Sequence, residues 1–491
     1  MRRRDESGDL SLGAPATGDQ SPRHVVVGGA GIGGLGAALA LSRTGHRVTL
    51  LERDDTPVPG SVEEAFEWDR RGAPQVRHSH GFAARLHQIL AGRFPDVLDD
   101  LRDAGVVEHD LAAMLPPEVA SDLEGLAVVA ARRTTYEWVL RRAVLRSPLV
   151  ALEVGVGVRA LLTDTGRDGS PPRVTGVQLD DGSETRADAV VASNGPRSDL
   201  ASWLEPHGVG VPETVADTGI VYLSRFYRLR PGRQLGGGIL QAASRRAGLS
   251  YSCVEADNGT YSITIAVESA DTELRRHLLD PERFEAVCAL LPGIEHLADR
   301  SLATPITTVY AMGSLVNRLR SFVDGDGRPR VTGFHALGDA HTTTNPIYGR
   351  GCALAMVQAA LLSDAFDGHP DDPVGRAMAY EEASAREIEP WYHFAVDGDA
   401  LRSRGEQIQP GDSRFTLHDL MRVGVAEPRL LPKTLRTLTL LDTPDVVADD
   451  ELFRETLARM RAERAAKLAE RRARGTASSV QRDDLLRAGA G

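Results

Sequence analysis

Glycine-bounded apolar runs and Ala/Leu-rich helical stretches open the ordered part of the chain, and their order predicts a βαβ unit. His24-Val25-Val26-Val27 reads as a buried parallel strand, Leu35 to Leu41 as a helix ending near Gly45, and Arg47 to Glu52 as the next strand. Helical patterns follow at Phe82–Leu90 and Val97–Ala104, then a helix at Thr135–Leu145 and a strand at Ala189–Ala192. Around 218–267 the period changes to two. Val221–Leu229 and Tyr261–Val267 alternate, and Asp257-Asn258-Gly259 reads as a hairpin turn, because Asn-Gly tolerates positive φ at both turn positions. This change of period predicts an antiparallel sheet inserted into an α/β fold. Residues 330–365 return to strand, Gly-rich loop and helix. Beyond about 400 the pattern is helical, and Arg454 to Arg474 reads as a polar, solvated helix.

Gly29-Ala30-Gly31-Ile32-Gly33-Gly34 fits G-x-G-x-x-G at the first strand–helix junction. Gly29 permits the tight turn, Gly31 lets backbone approach a pyrophosphate, and Gly34 lets the helix pack near the strand. The helix N-terminus then offers free N–H groups to the phosphates. Glu52 ends the next strand, eighteen residues after Gly34. Its carboxylate suits both ribose hydroxyls and would repel a 2′-phosphate, which excludes NADP as the nucleotide held there. Strand, helix, second strand and acidic end all fall in place, so the motif outweighs a chance Gly-rich turn.

A second constellation lies at Gly338-Asp339-Ala340, followed by Asn345-Pro346-Ile347-Tyr348-Gly349-Arg350-Gly351 and a helix from Cys352. Asp339 suits a hydroxyl of a sugar-like chain. Gly349 and Gly351 let backbone pass close to a flat ring, and the helix aims its positive end there. Together the two units resemble the class A flavoprotein monooxygenases, which have the para-hydroxybenzoate hydroxylase-like fold. The match is good over Gly29–Glu52 and Gly338–Gly351, and looser over about 22 to 400. The resemblance implies an α/β protein: a Rossmann-type FAD-binding domain, an inserted antiparallel β-sheet substrate domain and a C-terminal helical segment. The expected division is a disordered leader (1–21), the FAD-binding domain (22–204 and 326–400), the substrate domain (205–325) and a helical region (401–491).

The same resemblance places Gly29, Gly31, Gly34, Glu52, Arg53, Arg77, Arg133, Gly338, Asp339, Pro346, Gly349 and Gly351 at the cofactor. Arg53 matches the basic residue that often follows the ribose carboxylate, and Arg133 a polar position that contacts FAD. Gln75-Val76-Arg77-His78-Ser79-His80 looks like a segment of a subgroup near the polyether epoxidases and other natural-product tailoring oxygenases, where Arg77 would lie near the flavin. The family's middle Asp-Gly motif departs here to Ala192-Ser193-Asn194-Gly195-Pro196-Arg197-Ser198, with Asn194 at the acidic position. That leaves open how a nicotinamide cofactor is received.

The formal net charge of −12 argues against nucleic-acid or anionic-membrane partners. Cys253, Cys288 and Cys352 have no metal-ligand spacing and fit reduced thiols in a cytoplasm. No apolar run is long enough to span a bilayer. His78, His80 and His87 lack an acidic or Cys partner at ligand spacing, so no metal is expected.

The resemblance implies FAD as cofactor, NADPH or NADH as transient reductant, and transfer of one oxygen atom of O2 to a small molecule through a flavin C4a-hydroperoxide. The expected substrate is apolar or aromatic, of the polyketide-like natural-product kind, and the reaction epoxidation or hydroxylation. A separate flavin reductase is an alternative electron source. Tyr222 and Arg225, on opposite faces of the Val221–Leu229 strand, are the candidate substrate contacts. The rivals are a flavin-dependent halogenase, whose W-x-W-x-I-P motif is absent, a reductase or dehydrogenase of an isoprenoid-like chain, and a non-catalytic flavin-binding sensor.

Overall fold

The computed structural model describes residues 22–489 except 116–122, 124, 165–169, 237–239, 247, 404–411 and 474–479; the expected disordered leader (1–21) lies outside the described residues. The βαβ unit forms as the pattern predicts. His24–Gly28 and Arg47–Glu52 are parallel neighbours joined by the helix Ile32–Arg43. Three more parallel strands complete a five-stranded sheet in the order Phe334–Ala336, Ala189–Ala192, His24–Gly28, Arg47–Glu52, Val150–Val154. The sequence runs from the central strand to one side and later returns to the other, which opens a crevice at the carboxyl end of His24–Gly28.

The first helix begins three residues before the expected start because its glycines serve packing. A Cβ at Gly36 would lie 2.5 Å from the Met356 sulfur, so glycine lets this helix approach the helix Gly351–Gly368 closely. Both helices bury most of their residues in one core, with Tyr136 and Leu140 of the helix Arg133–Arg146 alongside.

The change to period two is realised as a six-stranded antiparallel sheet in the order Leu240–Arg246, Leu249–Glu255, Thr260–Glu268, Ile220–Leu229, Ala303–Pro305, with Tyr310–Met312 also pairing with Ile220–Leu229. The hairpin at Asp257-Asn258-Gly259 has φ of 54° at Asn258 and 63° at Gly259, as a two-residue turn with both centres left-handed requires. One face of this sheet, with Val221, Leu223, Tyr227, Tyr261, Ile263 and Ile265, closes a second core under Leu278, Phe284 and Leu291. The other face carries Tyr222, Ser224, Phe226, Ser262 and Thr264 and meets the nucleotide-binding half.

Candidate flavin site

The glycines of the first motif divide by cause. Gly29 has φ +101°, and a Cβ there would lie 2.6 Å from the Ser193 carbonyl oxygen; at Gly34 it would lie 1.8 Å from the Gly29 carbonyl oxygen. Both are needed by the turn itself. Gly31 is different. Its φ is −77°, and a Cβ there would meet nothing within 4 Å among the described residues. Gly351, the first residue of the helix Gly351–Gly368, likewise has open space at its Cβ position. Neither helix has a side-chain cap, so each presents bare N–H groups and a partial positive charge to that space. Two bare helix ends with glycine where the protein itself needs none make a cradle that a Cβ would fill.

Glu52 sits beside this cradle, but its carboxylate is already engaged. Oε2 accepts the Ala30 N–H at 3.2 Å and Arg70 Nη2 at 3.0 Å, and Oε1 accepts the Asp54 N–H at 3.0 Å. Arg70 also binds Asp54 at 2.8 Å and Glu137 at 2.6 Å, and Arg141 donates to the Ala30 carbonyl at 2.8 Å. All these side chains are buried. Burial, with the Arg70 guanidinium alongside, pulls Arg141 below the ordinary arginine value. Sequence reasoning missed both arginines, since neither belongs to a motif. Arg141 Nε and Nη1, Arg133 Nε and Glu137 Oε2 are buried with no hydrogen-bond partner among the described residues. Arg133 Nε and Glu137 Oε2 face each other at 3.6 Å, whereas the two Arg141 nitrogens are buried donors without acceptors beside a bare helix end, which fits a ligand carrying phosphates and ribose. Arg53 is exposed, its stem beside Gly157. Arg70 and Arg141 are the cations that face the Glu52 carboxylate.

The second motif lies at the other end of the crevice. Gly338 has φ +62° and donates its N–H to Gln358 at 2.8 Å. Burial pushes the Asp339 carboxyl above its ordinary value, against the pull of the Arg133 guanidinium. Gly349 has φ +64°, and its Cβ position lies 3.6 Å from Gly81 backbone, so the 345–351 loop and the end of the 75–81 segment face each other glycine to glycine. Pro346 starts the short helical turn Pro346–Tyr348 and is exposed. Arg77 is half-buried with its guanidinium 5.4 Å from the Tyr310 ring centre. Cys352 is held as a thiol, its value pushed up to about 11 by burial. Arg350 is buried among the Tyr348, Trp391 and Phe394 rings, 4.5–4.7 Å from their centres.

The histidines of the 75–81 segment have separate partners. His78 Nδ1 lies 2.8 Å from the Ser224 hydroxyl, His80 Nδ1 lies 3.0 Å from the His78 carbonyl, and His87 pairs with Glu108 at 2.6 Å. Burial lowers His78 to about 4 and, with the Arg133 guanidinium added, His80 to about 3, so both rings are neutral at pH 7. Ser79 lies 2.7 Å from Thr264, which lies 2.7 Å from Ser224. This hydroxyl chain fastens the segment to the antiparallel sheet and excludes bulk water from that seam.

The two substrate-contact candidates separate cleanly. Tyr222 is on the face toward the 345–351 loop, where its hydroxyl donates to Asn345 at 2.5 Å. Arg225 is on the opposite face, away from that loop. It binds Glu285 at 2.7 Å and the Thr307 and Pro281 carbonyls, and so ties the sheet to the helix Pro281–Cys288. In the middle motif, Asn194 accepts the Ser198 hydroxyl at 2.6 Å, Gly195 has φ +79°, and Arg197 is exposed. Asn194 thus shapes a local turn.

A family model described as an NAD(P)-binding Rossmann-like domain matches residues 26–101. Protein Rv3254 of Mycobacterium tuberculosis is 27% identical over 456 residues, covering 86% of this chain and 90% of the relative. Kynurenine 3-monooxygenase of Salinispora arenicola is 26% identical over 388 residues, covering 73% and 76%. Among solved structures, PqsL of Pseudomonas aeruginosa, described as a probable FAD-dependent monooxygenase, superposes with a TM-score of 0.54 at 16% identity, covering 78% of this chain and 97% of PqsL. The chain therefore has the fold of the class A FAD-dependent monooxygenases, as its motifs imply. Among the described residues no helix is long and apolar enough to cross a membrane.

Glu52→Gln tests the ribose end. It keeps the shape and one acceptor oxygen but removes the charge. Arg70 keeps Asp54 and Glu137, so the fold should persist. FAD affinity should fall by about one to two decades, the equivalent of about 1.5–3 kcal/mol for lost charge-assisted hydrogen bonds. Fluorescence titration with FAD reads this directly, and an unchanged dissociation constant would remove Glu52 from the site.

Proposed function

We propose that the chain is a FAD-dependent monooxygenase that takes electrons from NADPH or NADH and places one oxygen atom of O2 on an apolar or aromatic small molecule, by hydroxylation or epoxidation. The observation that carries this is the pair of bare, glycine-floored helix ends at Gly31 and Gly351 in one crevice, with a buried antiparallel sheet face fastened against it. FAD supplies the redox chemistry when bound; the protein supplies placement. The helix end at Gly31, with Arg133 and the unpaired nitrogens of Arg141, would hold the phosphates, Glu52 the ribose hydroxyls, and Asp339 a hydroxyl of the ribityl chain. The backbone from Gly349 to Gly351 would hold the flavin, and the helix end at Gly351 would favour negative charge on it. Tyr222, Phe226 and the hydroxyl seam shut out water on the substrate side. A polyketide-like substrate, a cytoplasmic setting and a separate flavin reductase are the finer parts of this reading; the similarity to a kynurenine 3-monooxygenase supports its aromatic branch.

The test is equilibrium dialysis with FAD, followed by oxygen uptake with NADPH and a panel of phenols and isoprenoid alkenes. The expected result is one FAD per chain, faster NADPH oxidation with an accepted substrate, and a product carrying one atom of labelled O2. A folded protein that binds no FAD would overturn the proposal.

A further inference from the structure

The loop from Asn345 to Gly351 is held by a residue that belongs to none of the motifs. Asn345 is fully buried, and its side chain and backbone N–H are all engaged. Its Oδ1 accepts the Tyr222 hydroxyl at 2.5 Å and the Ile347 N–H at 3.1 Å, its backbone N–H donates to Asn317 Oδ1 at 2.7 Å, and its Nδ2 donates to Asp399 Oδ1 at 2.8 Å. Asp399, on the helix Glu389–Ser403, is itself buried. Its Oδ2 accepts Asn317 Nδ2 at 2.8 Å, and its Oδ1 also accepts the Tyr348 hydroxyl at 3.2 Å and Arg402 at 2.5 Å. The loop is thus tied to the antiparallel sheet through Tyr222, to the strand Val316–Arg320 through Asn317, and to the C-terminal helices through Asp399.

Every group facing Asp399 in these contacts donates to it, so both of its oxygens are taken up as acceptors. An amide in its place would set N–H groups against N–H groups. Burying a carboxylate is a poor way to gain stability, and its best-attested use is to fix one arrangement among several. We propose that Asp399 is a positioning residue for the flavin-binding loop. Through Asn345 it fixes the backbone from Gly349 to Gly351 without touching the cofactor. This rests on reading that loop as the flavin site.

The experiment compares wild type, Asp399→Asn, the exchanged pair Asp399→Asn with Asn345→Asp, and Tyr222→Phe, measuring FAD dissociation constant, visible flavin spectrum and flavin midpoint potential. In Asp399→Asn, FAD should bind at least tenfold more weakly. Reduced flavin should lose a further factor of about ten relative to oxidised flavin, a shift of about 30 mV to more negative potential for this two-electron couple. The exchanged pair restores the Asn345 contact with donor and acceptor reversed but leaves the new amide facing Arg402, so it should recover only part of the lost affinity. Tyr222→Phe, which removes a single hydroxyl from the far side of Asn345, should shift both in the same direction by a smaller factor, and it carries the test if Asp399→Asn fails to fold. Wild-type values for affinity, spectrum and potential in folded Asp399→Asn, or in Tyr222→Phe where that variant carries the test, would overturn the proposal. A wild-type protein that binds no FAD is a different result, and overturns the functional reading instead.

Discussion

Gly31→Val should leave the cofactor-free protein folded at close to its wild-type melting temperature and cost about two to four decades of FAD affinity. The first half follows from the surroundings of the residue. With φ −77° and nothing among the described residues within 4 Å of the Cβ position, the backbone and its surroundings have room for a Cβ. The change at a helix N-cap from glycine to an apolar residue costs only a few tenths of a kcal/mol to about 1 kcal/mol. The second half follows from what the space is for. A valine there would stand in front of the bare N–H groups of the helix Ile32–Arg43, where the phosphates would seat. Two charge-assisted hydrogen bonds lost at about 1.5–3 kcal/mol each account for the decades stated. Gly34→Ala is the control with the opposite signature, because its Cβ would strike the Gly29 carbonyl at 1.8 Å and the strand–helix turn itself would fail. Differential scanning fluorimetry without FAD, then fluorescence titration with FAD, separates the two. Wild-type FAD affinity in Gly31→Val would mean that the open space above this helix is not the phosphate site.

What was legible in the sequence was governed by short-range rules. The first strand, helix and second strand follow from glycine spacing and apolar runs, and the Asp257-Asn258-Gly259 turn follows from which residues accept positive φ. The site residues named from motifs are those whose neighbours in sequence are also their reason: Gly29 and Gly34 by sterics, Gly338 and Gly349 by conformation. Arg225 shows where this stops. Alternation divides Ile220–Leu229 into two faces, but both are buried over most of its length, so polarity alone could not say which face meets the crevice. Arg70 and Arg141 were hidden for a related reason. Arg141 belongs to no motif, and only the fold brings it to Ala30, 111 residues away. Asp399 is harder still, because its partners Asn317 and Asn345 lie 82 and 54 residues away in sequence.

The Asp257-Asn258-Gly259 turn leads to the largest expected effect on stability, because its Asp257 is buried and the turn is bonded to neighbouring elements. Asn258 donates to the Ala104 carbonyl at 2.9 Å, and its own N–H goes to the Gly105 carbonyl at 3.2 Å. Asp257 is fully buried at the start of the helix Arg133–Arg146. It accepts the Arg132 backbone N–H at 2.5 Å, the Arg132 guanidinium through Nε at 3.0 Å and through Nη2, the Thr135 hydroxyl at 2.9 Å and Asn258 Nδ2 at 2.9 Å. Asp257→Ala should therefore destabilise the protein by about 3–5 kcal/mol, since it leaves the Arg132 charge buried without its counter-ion. Asp257→Asn keeps an acceptor for the backbone N–H and should lose less, about 1–3 kcal/mol. An exposed ion pair would give at most about 1 kcal/mol and would fade in high salt. The Asp257 contribution should instead persist in 1 M salt, because solvent does not reach the pair. Chemical denaturation of wild type and both variants, at low and high salt, checks size and screening together. A loss under about 1 kcal/mol for Asp257→Ala, or one that high salt removes, would show that the turn does not pin the antiparallel sheet to the helix that carries Arg133.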